Sequence, residues 1–263
     1  MQDRNFDDLA PRFKRNVYGT LKGRIRLAVL ERDFREHAPQ LYLDHPLHLL
    51  DLGAGQAPFS LQFAQLGHRL VLADISSEML AGAQLAMSDW PAAHRERVYS
   101  LCHPLQQLAQ PLRDLALPAT FDMVICHAVL EWLAEPDRLY CHLANYLKPG
   151  GLLSLTFYNI NGLAFKNLLR TNFHKFDIDN FRSFRGSLTP THPQEPHHVL
   201  RQLGEQGFEI VCRSGIRVFH DYILDPVERN REPEAIVGKE LEYSRRESFW
   251  PIARYIHVLG RKV

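Results

Sequence analysis

The segment His48-Leu49-Leu50-Asp51-Leu52-Gly53-Ala54-Gly55, read with Val71-Leu72-Ala73-Asp74, decides the fold. A short apolar run ends in Asp-x-Gly-x-Gly. Roughly twenty residues past the glycines, a second apolar run ends in a lone acid. Such a pair reads as two buried parallel strands whose carboxyl ends frame a nucleotide pocket. The glycines let the backbone turn sharply and approach a ligand closely, and the second acid accepts hydrogen bonds from a ribose diol. The plainer alternative is a tight strand-to-helix turn with no ligand, and the position of Asp74 argues against it.

The details separate one nucleotide class from another. The third glycine of a dinucleotide G-x-G-x-x-G motif is replaced by Pro58, and Asp51 leads the turn. A carboxylate there suits a ligand carrying an ammonium or sulfonium and repels a pyrophosphate. This favours S-adenosylmethionine over NAD, with Asp51, Gly53, Ala54, Gly55 and Asp74 as its contacts.

Outward from that motif, strand-like runs at 48–52, 69–73, 97–102, 121–126, 151–158, 208–214 and 254–261 alternate with helical patterns at 19–35, 58–66, 76–89, 136–147 and 195–206. The alternation predicts an α/β fold, a doubly wound seven-stranded Rossmann-like sheet whose last strand is antiparallel. Ser76 is the expected N-cap of the third helix. Lys148-Pro149-Gly150-Gly151 is expected to stop the fourth and turn it into the next strand. Residues 1–263 are read as one domain. Three segments lie outside its framework: an N-terminal lid at 1–35 and insertions at 159–194 and 215–250, expected on the acceptor side of the crevice.

The 263 residues are 45% hydrophobic with a formal net charge of +1, so there is core enough but no global field to draw in nucleic acid. Binding to RNA would need a local patch. Cys102, Cys126, Cys141 and Cys212 form no CxxC pair and read as reduced, small core residues of a cytoplasmic protein. The polar, acidic opening is unlike a signal peptide, and no apolar run reaches membrane-spanning length. Neither a metal nor a membrane partner is expected.

Further candidates follow from position. After the third strand, Leu105-Gln106-Gln107 offers amide oxygens where an adenine amino group would need an acceptor. His127 ends the fourth strand, beside the methionine end of such a cofactor. Residues 12–26 carry Arg12, Lys14, Arg15, Lys22, Arg24 and Arg26 and no acid, with an apolar stripe that includes Tyr18. Residues 159–194 interleave cations, Arg185 among them, with phenylalanines, a pattern suited to phosphate contact and base stacking. A solvated helix face and a small satellite core are the plainer readings of these two segments.

The stretches Asp3-Arg4-Asn5-Phe6-Asp7-Asp8-Leu9-Ala10, Asn16-Val17-Tyr18-Gly19-Thr20-Leu21-Lys22-Gly23, His127-Ala128-Val129-Leu130-Glu131-Trp132, Gly215-Ile216-Arg217-Val218-Phe219-His220-Asp221-Tyr222 and Arg254-Tyr255-Ile256-His257-Val258 carry a resemblance over nearly the whole chain. The chain resembles the tRNA 5-carboxymethoxyuridine methyltransferases, class I S-adenosylmethionine-dependent enzymes. The resemblance implies methylation of the carboxylate of 5-carboxymethoxyuridine in the tRNA anticodon loop. It also implies cofactor contacts at Arg26, Gly53, Ala54, Asp74, Leu105, Gln106 and His127. Arg26 would pair with the cofactor's carboxylate. Two departures stand out: the loop Gly53-Ala54-Gly55-Gln56-Ala57-Pro58 is poorer in glycine than expected, and residues 159–194 diverge.

A carboxylate acceptor, with a pKa near 4, is already ionised at neutral pH, so no catalytic base is called for. Lys14, Arg15, Tyr18, Lys22, Tyr158, Asn159, Arg185, Arg201, Arg217 and His220 are the candidates for holding the acceptor and its RNA. The competing readings are a methyltransferase for a small carboxylic or phenolic metabolite and a non-catalytic protein of the same fold that binds RNA or a partner. An NAD dehydrogenase is the more distant one.

Overall fold

The structure is a computed structural model that describes residues 3–10, 19–43, 45–173, 190 and 192–263. Its strands are β1 (His48–Leu52), β2 (Arg69–Asp74), β3 (Val98–Cys102), β4 (Phe121–His127), β5 (Leu147–Tyr158), β6 (Phe208–Ile216) and β7 (Tyr255–Lys262). They form one seven-stranded sheet in the order β3-β2-β1-β4-β5-β7-β6. The neighbours from β3 to β5 run parallel, and β7 is antiparallel to both β5 and β6. The strand order reverses between β1 and β4, which opens a crevice at the carboxyl ends of β1, β2 and β4.

The strands are apolar on both faces because both faces are covered. Leu50, Leu52, Val71, Val124 and Leu153 pack into one core layer. That layer is closed by α5 (Ala109–Asp114), α6 (Leu139–Asn145) and α8 (Pro196–Glu205). The alternate residues Leu49, Leu70, Leu72, Met123 and Leu152 point the other way. They meet α1 (Leu21–His37), α2 (Leu61–Gln65) and α3 (Ser77–Ala86), α1 contributing Leu30 and Phe34. A short α4 (Ala92–Arg95) precedes β3. Ser76 caps α3 as expected, its hydroxyl accepting the Met79 amide at 3.1 Å.

Departures from the expected boundaries have local causes. Lys148-Pro149-Gly150-Gly151 lies inside β5, not before it. Phe121 pairs with Leu147 and Met123 with Leu152, so these four residues form an irregularity in one strand. The Lys148 ammonium anchors it on Asp122 Oδ1 at 2.7 Å. Two helices lie within the insertions, α7 (Ile160–Leu169) and α9 (Pro233–Tyr243). Neither has a strong apolar stripe, and each is held by a polar anchor. Asn159 caps α7 through the Asn161 amide. The carboxylate of Glu240 on α9, fully buried, collects the amides of Val218, Phe219 and His220. Cys126 and Cys212 are buried as expected, whereas Cys102 and Cys141 are exposed and are not core residues. Among the described residues no helix is long and apolar enough to cross a membrane.

Helix α7 seats against the turn before β7 through Gly162. A Cβ there would lie 2.3 Å from the Ala253 carbonyl oxygen, a backbone atom that cannot swing away. Gly162→Ala is therefore expected to lower stability by about 1–3 kcal/mol, read as a drop in denaturant midpoint with unchanged slope.

Candidate functional site

The turn after β1 makes the floor of the crevice. Gly53 (φ +66°) and Gly55 (φ +56°) are left-handed. A Cβ on Gly53 would strike Val129 Cγ2 at 2.3 Å, so β1 and the segment after β4 can approach only through a glycine. No atom lies within 4 Å of a Cβ built on Gly55, which faces open space. Ala57, where more glycine was expected, takes φ +51° all the same, at a cost of about 1 kcal/mol or more. The Gly53 and Ala54 amides both donate to the Ala73 carbonyl, and the Gly55 amide donates to Asp74 Oδ2 at 2.8 Å. The tips of β1 and β2 are thus tied together.

Asp51 and Asp74 stand side by side at these tips. Asp51 accepts a short hydrogen bond from the Ser60 hydroxyl. Burial pushes its carboxyl up to about 7, the Ser60 hydroxyl opposing the rise and the Asp74 charge adding to it. Asp74 is also raised by burial, while amides of Ser76 and Gly55 pull it back. Asp74 takes one amide on each oxygen, which leaves acceptor capacity on both for a vicinal diol. A buried acid that is costly to ionise alone gains from a cationic ligand, so the pair fits a ligand with a ribose and an ammonium or sulfonium.

Arg26, Asp51, Gly53, Ala54, Gly55, Asp74, Leu105 and His127 all line this one cleft. Gln106 does not: its amide turns away to donate to Asp3 Oδ2 at 3.1 Å. The Arg26 guanidinium, carried in by α1, lies 4.7 Å from the Tyr255 ring centroid. His127 donates or accepts at Nε2 with Ser154 Oγ at 2.7 Å. Burial, with the nearby Arg26 charge, holds its imidazole well below the usual histidine range, so it is neutral. The next residue, Ala128, has φ +59°, a strained link between His127 and Val129.

The N-terminal segment contributes more than basic charge. Asp3 Oδ1 accepts the Ala134 amide at 2.8 Å, Asn5 donates to the Ile75 carbonyl at 3.2 Å, and Phe6 sits edge-on to Trp132 at 4.9 Å. Residues 3–6 thereby reach from the β2 tip to the segment after β4. Asp3, Arg4 and Phe6 join the cleft wall, as do His103, Trp132 and Tyr255. Sequence reading missed these residues. The resembling stretches 3–10, 127–132 and 254–258 contain Asp3, Trp132 and Tyr255, and nothing local in them singles these residues out.

Beyond Tyr255 the charge reverses. Arg217 (φ +63°) places its guanidinium 5.3 Å from the same ring. Its Nη1 lies 3.5 Å from Asp221, which is also approached by Arg254 at 3.6 Å and His220 at 3.3 Å. Burial alone would raise the Asp221 pKa, but Arg217, the His220 hydrogen bond, Lys22 and Arg254 hold it well below the usual range. Burial and these neighbouring cations push Lys22 down, and Lys166 falls to about 8 for the same reasons. Among the described residues Lys22, Lys166, Arg217 and Arg254 thus share Asp221 as their common carboxylate. The Tyr158 hydroxyl, Arg254 Nη1 and His220 Nε2 are buried with no hydrogen-bond partner among the described residues. The two orphaned donors, the Tyr158 hydroxyl and Arg254 Nη1, next to excess cations are suited to an anion.

The other acceptor-side candidates separate. Asn159 is consumed by the fold, its amide donating to the Pro251 and Ala253 carbonyls. Arg201 lies on the outer face of α8, engaged with His198 at 3.0 Å and Glu205 at 4.0 Å. Helical periodicity brought its charge to the surface, not to the crevice. Lys14, Arg15, Tyr18 and Arg185 lie outside the described residues.

Residues 50–155 match the Methyltransferase domain family. The tRNA 5-carboxymethoxyuridine methyltransferase of Escherichia coli (strain K12) is 36% identical over 268 aligned residues, covering 100% of this chain and 97% of that protein. Likeness to the ubiquinone biosynthesis O-methyltransferase of Xanthomonas euvesicatoria pv. vesicatoria (strain 85-10) is 31% but confined to 119 residues, 44% of this chain and 45% of the other. Among solved structures, the magnesium protoporphyrin IX methyltransferase of Synechocystis PCC 6803 with bound SAH superposes with a TM-score of 0.64 at 17% identity, covering 98% and 96% of the two chains.

The Asp51 environment has a consequence for stability. Its carboxyl ionises near 3.8 when unfolded and near 7 in the fold. A raised value contributes stability that is complete below the unfolded pKa and is lost as pH rises through the folded one. Asp51→Asn carries no charge to bury, so without cofactor it should be roughly 1–3 kcal/mol more stable than the wild type near pH 8. The advantage should shrink as pH falls toward about 4, checked by thermal melts across the range.

Proposed function

The chain belongs to the tRNA 5-carboxymethoxyuridine methyltransferase family, and from that premise we propose that it methylates the carboxylate of 5-carboxymethoxyuridine at the wobble position of tRNA. The product is the methyl ester, 5-methoxycarbonylmethoxyuridine. One observation carries the reading: a cleft suited to a nucleoside cation adjoins, across Tyr255, a cluster in which Lys22, Lys166, Arg217 and Arg254 gather around Asp221. The protein then works in the cytoplasm, on the anticodon loop.

The methyl donor is S-adenosylmethionine, which when bound supplies an electrophilic carbon on a positively charged sulfur. Asp74 would accept from the ribose hydroxyls, and the Gly53-Ala54-Gly55 backbone would pass beneath the nucleoside. Arg26 would pair with the donor's carboxylate, and Asp51 and His127 would face its ammonium end. Leu105 would pack against the base, as the resemblance implied, whereas Gln106 is better placed to fasten Asp3.

On the acceptor side Lys22 and Arg217 would draw in the carboxylate. Both act through tempered charge. Arg217 is already committed to Asp221 at 3.5 Å, so it cannot seize both reacting oxygens and quench the nucleophile. The acceptor needs no base, because a carboxylate is ionised at neutral pH. What the chain supplies is alignment and a dry site. Tyr158, with an orphaned hydroxyl, would complete the donors, and His220 would hold Asp221 in place through Nδ1. Lys14, Arg15, Tyr18 and Arg185 would engage the RNA itself.

Incubation of the protein with S-adenosylmethionine and tRNA bearing unmethylated 5-carboxymethoxyuridine should convert that nucleoside to one heavier by a single CH2, read by mass spectrometry of the digest. Total tRNA left without a new ester would overturn the reading. Lys22 belongs to the cation cluster around Asp221 and does not line the donor cleft. Lys22→Ala should therefore raise the KM for tRNA roughly tenfold while leaving S-adenosylmethionine affinity within about twofold, in steady-state kinetics and calorimetry.

A further inference from the structure

Four polar side chains run in a line from the donor cleft into the core. His127 Nε2 lies 2.7 Å from Ser154 Oγ, and Ser154 Oγ lies 2.9 Å from His257 Nε2. His257 Nδ1 then lies 2.8 Å from Asp33 Oδ2. Ser154, His257 and Asp33 are fully buried. None of the three touches the cleft, and an apolar trio would cost far less to bury.

Strand periodicity explains how they meet. Ile125 pairs with Ser154 and His127 with Thr156, while Thr156 pairs with His257. Side chains alternate across a pleat, so His127, Ser154 and His257 emerge on one face of three neighbouring strands, β4, β5 and β7. That face is the one covered by α1. Asp33 comes from α1, seven residues after Arg26 and so on the same side of the helix, about 10 Å along its axis. One helix face therefore delivers Arg26 to the cleft and Asp33 to the line behind it.

Proton counting gives the line a direction. Asp33 is ionised. Burial would raise its pKa, but the hydrogen bonds from His257 and Ser214 and the Arg32 charge hold it well below the usual range. It can only accept, so His257 must donate from Nδ1. Two guanidiniums already balance this carboxylate, Arg32 at 2.8 Å and Arg245 at 2.6 Å, so a third cation on His257 is not required. With Nδ1–H spent on Asp33, His257 presents Nε2 as an acceptor, which takes the single proton of Ser154. The Ser154 oxygen, its proton spent, accepts from His127 Nε2–H. His127 is left with Nδ1 as a lone-pair acceptor.

We propose that Asp33, His257 and Ser154 are positioning residues that fix His127 in the Nε2–H tautomer, so that Nδ1 accepts a hydrogen bond from the ammonium group of bound S-adenosylmethionine. The inference rests on the donor site proposed above but not on the identity of the acceptor. His127 is thereby a recognition group for a cation, set by a carboxylate three residues away in the chain of hydrogen bonds.

The test uses the full chain with S-adenosylmethionine and no tRNA, so a wrong acceptor assignment leaves its outcome untouched. In long-range proton–nitrogen spectra of histidine-labelled protein with the donor bound, the His127 signals are identified by their loss in His127→Asn. They should report a protonated Nε2 and a bare Nδ1. A protonated Nδ1 overturns the proposal, and this measurement needs only the wild-type fold. Calorimetry supplies a second reading. Ser154→Ala should weaken S-adenosylmethionine binding by roughly three- to tenfold, and Ser154→Thr, which keeps the hydroxyl, should recover most of that loss. Affinity unchanged in Ser154→Ala overturns the proposal equally.

Discussion

Two carboxylates at adjacent strand tips, Asp51 and Asp74, set the terms for everything around them. Parallel pairing of β1 with β2 brings them together, and burial makes both costly to ionise. The fold offsets this with donors that cannot move away: the Gly55 and Ser76 amides on Asp74 and the Ser60 hydroxyl on Asp51. Those amides exist in that orientation because Gly53 and Gly55 adopt left-handed backbone and because Gly53 lets Val129 close in. The site is thus built with negative potential that a cationic nucleoside relieves, and the turn, the strand pairing and the ligand class are aspects of one constraint.

Helix α1 is the second organising element. It buries Leu30 and Phe34 against the sheet, an ordinary packing role. Its polar residues divide the functional labour. Lys22 lies in the cation cluster around Asp221, Arg26 lines the cleft, and Asp33 hydrogen-bonds His257. Spacings of four and seven residues keep all three near one side of the helix. A rotation of α1 by one residue would disturb the donor site, the acceptor site and the core together, which couples cofactor geometry to the stability of the domain.

The acceptor side is assembled from segments outside the sheet and is stabilised by carboxylates. Glu240 on α9 gathers the amides of Val218, Phe219 and His220, fixing the turn that carries Arg217 and Asp221. Asp221 in turn restrains Arg217 and Arg254. Each anion does structural work, and the cations around Asp221 still outnumber it.

The amino-acid sequence by itself determined the strands, the sheet class, the glycine turn and the residues at the strand tips. Those features depend on apolar runs, periodicity and spacing over a few neighbours, which composition encodes directly. It also carried enough resemblance to place Arg26, which no local pattern singled out among the basic residues of its segment. It did not reveal that Gln106 turns to Asp3, that Asn159 is spent on the Pro251 and Ala253 carbonyls, or that Arg201 lies on an outer face. Nor could it join Asp33 to His257 across 224 positions, or gather Lys22, Arg217 and Arg254 around Asp221. Only the tertiary structure decided these, because strand register and helix packing, not chain proximity, choose which polar side chains share a buried space and so which must satisfy one another.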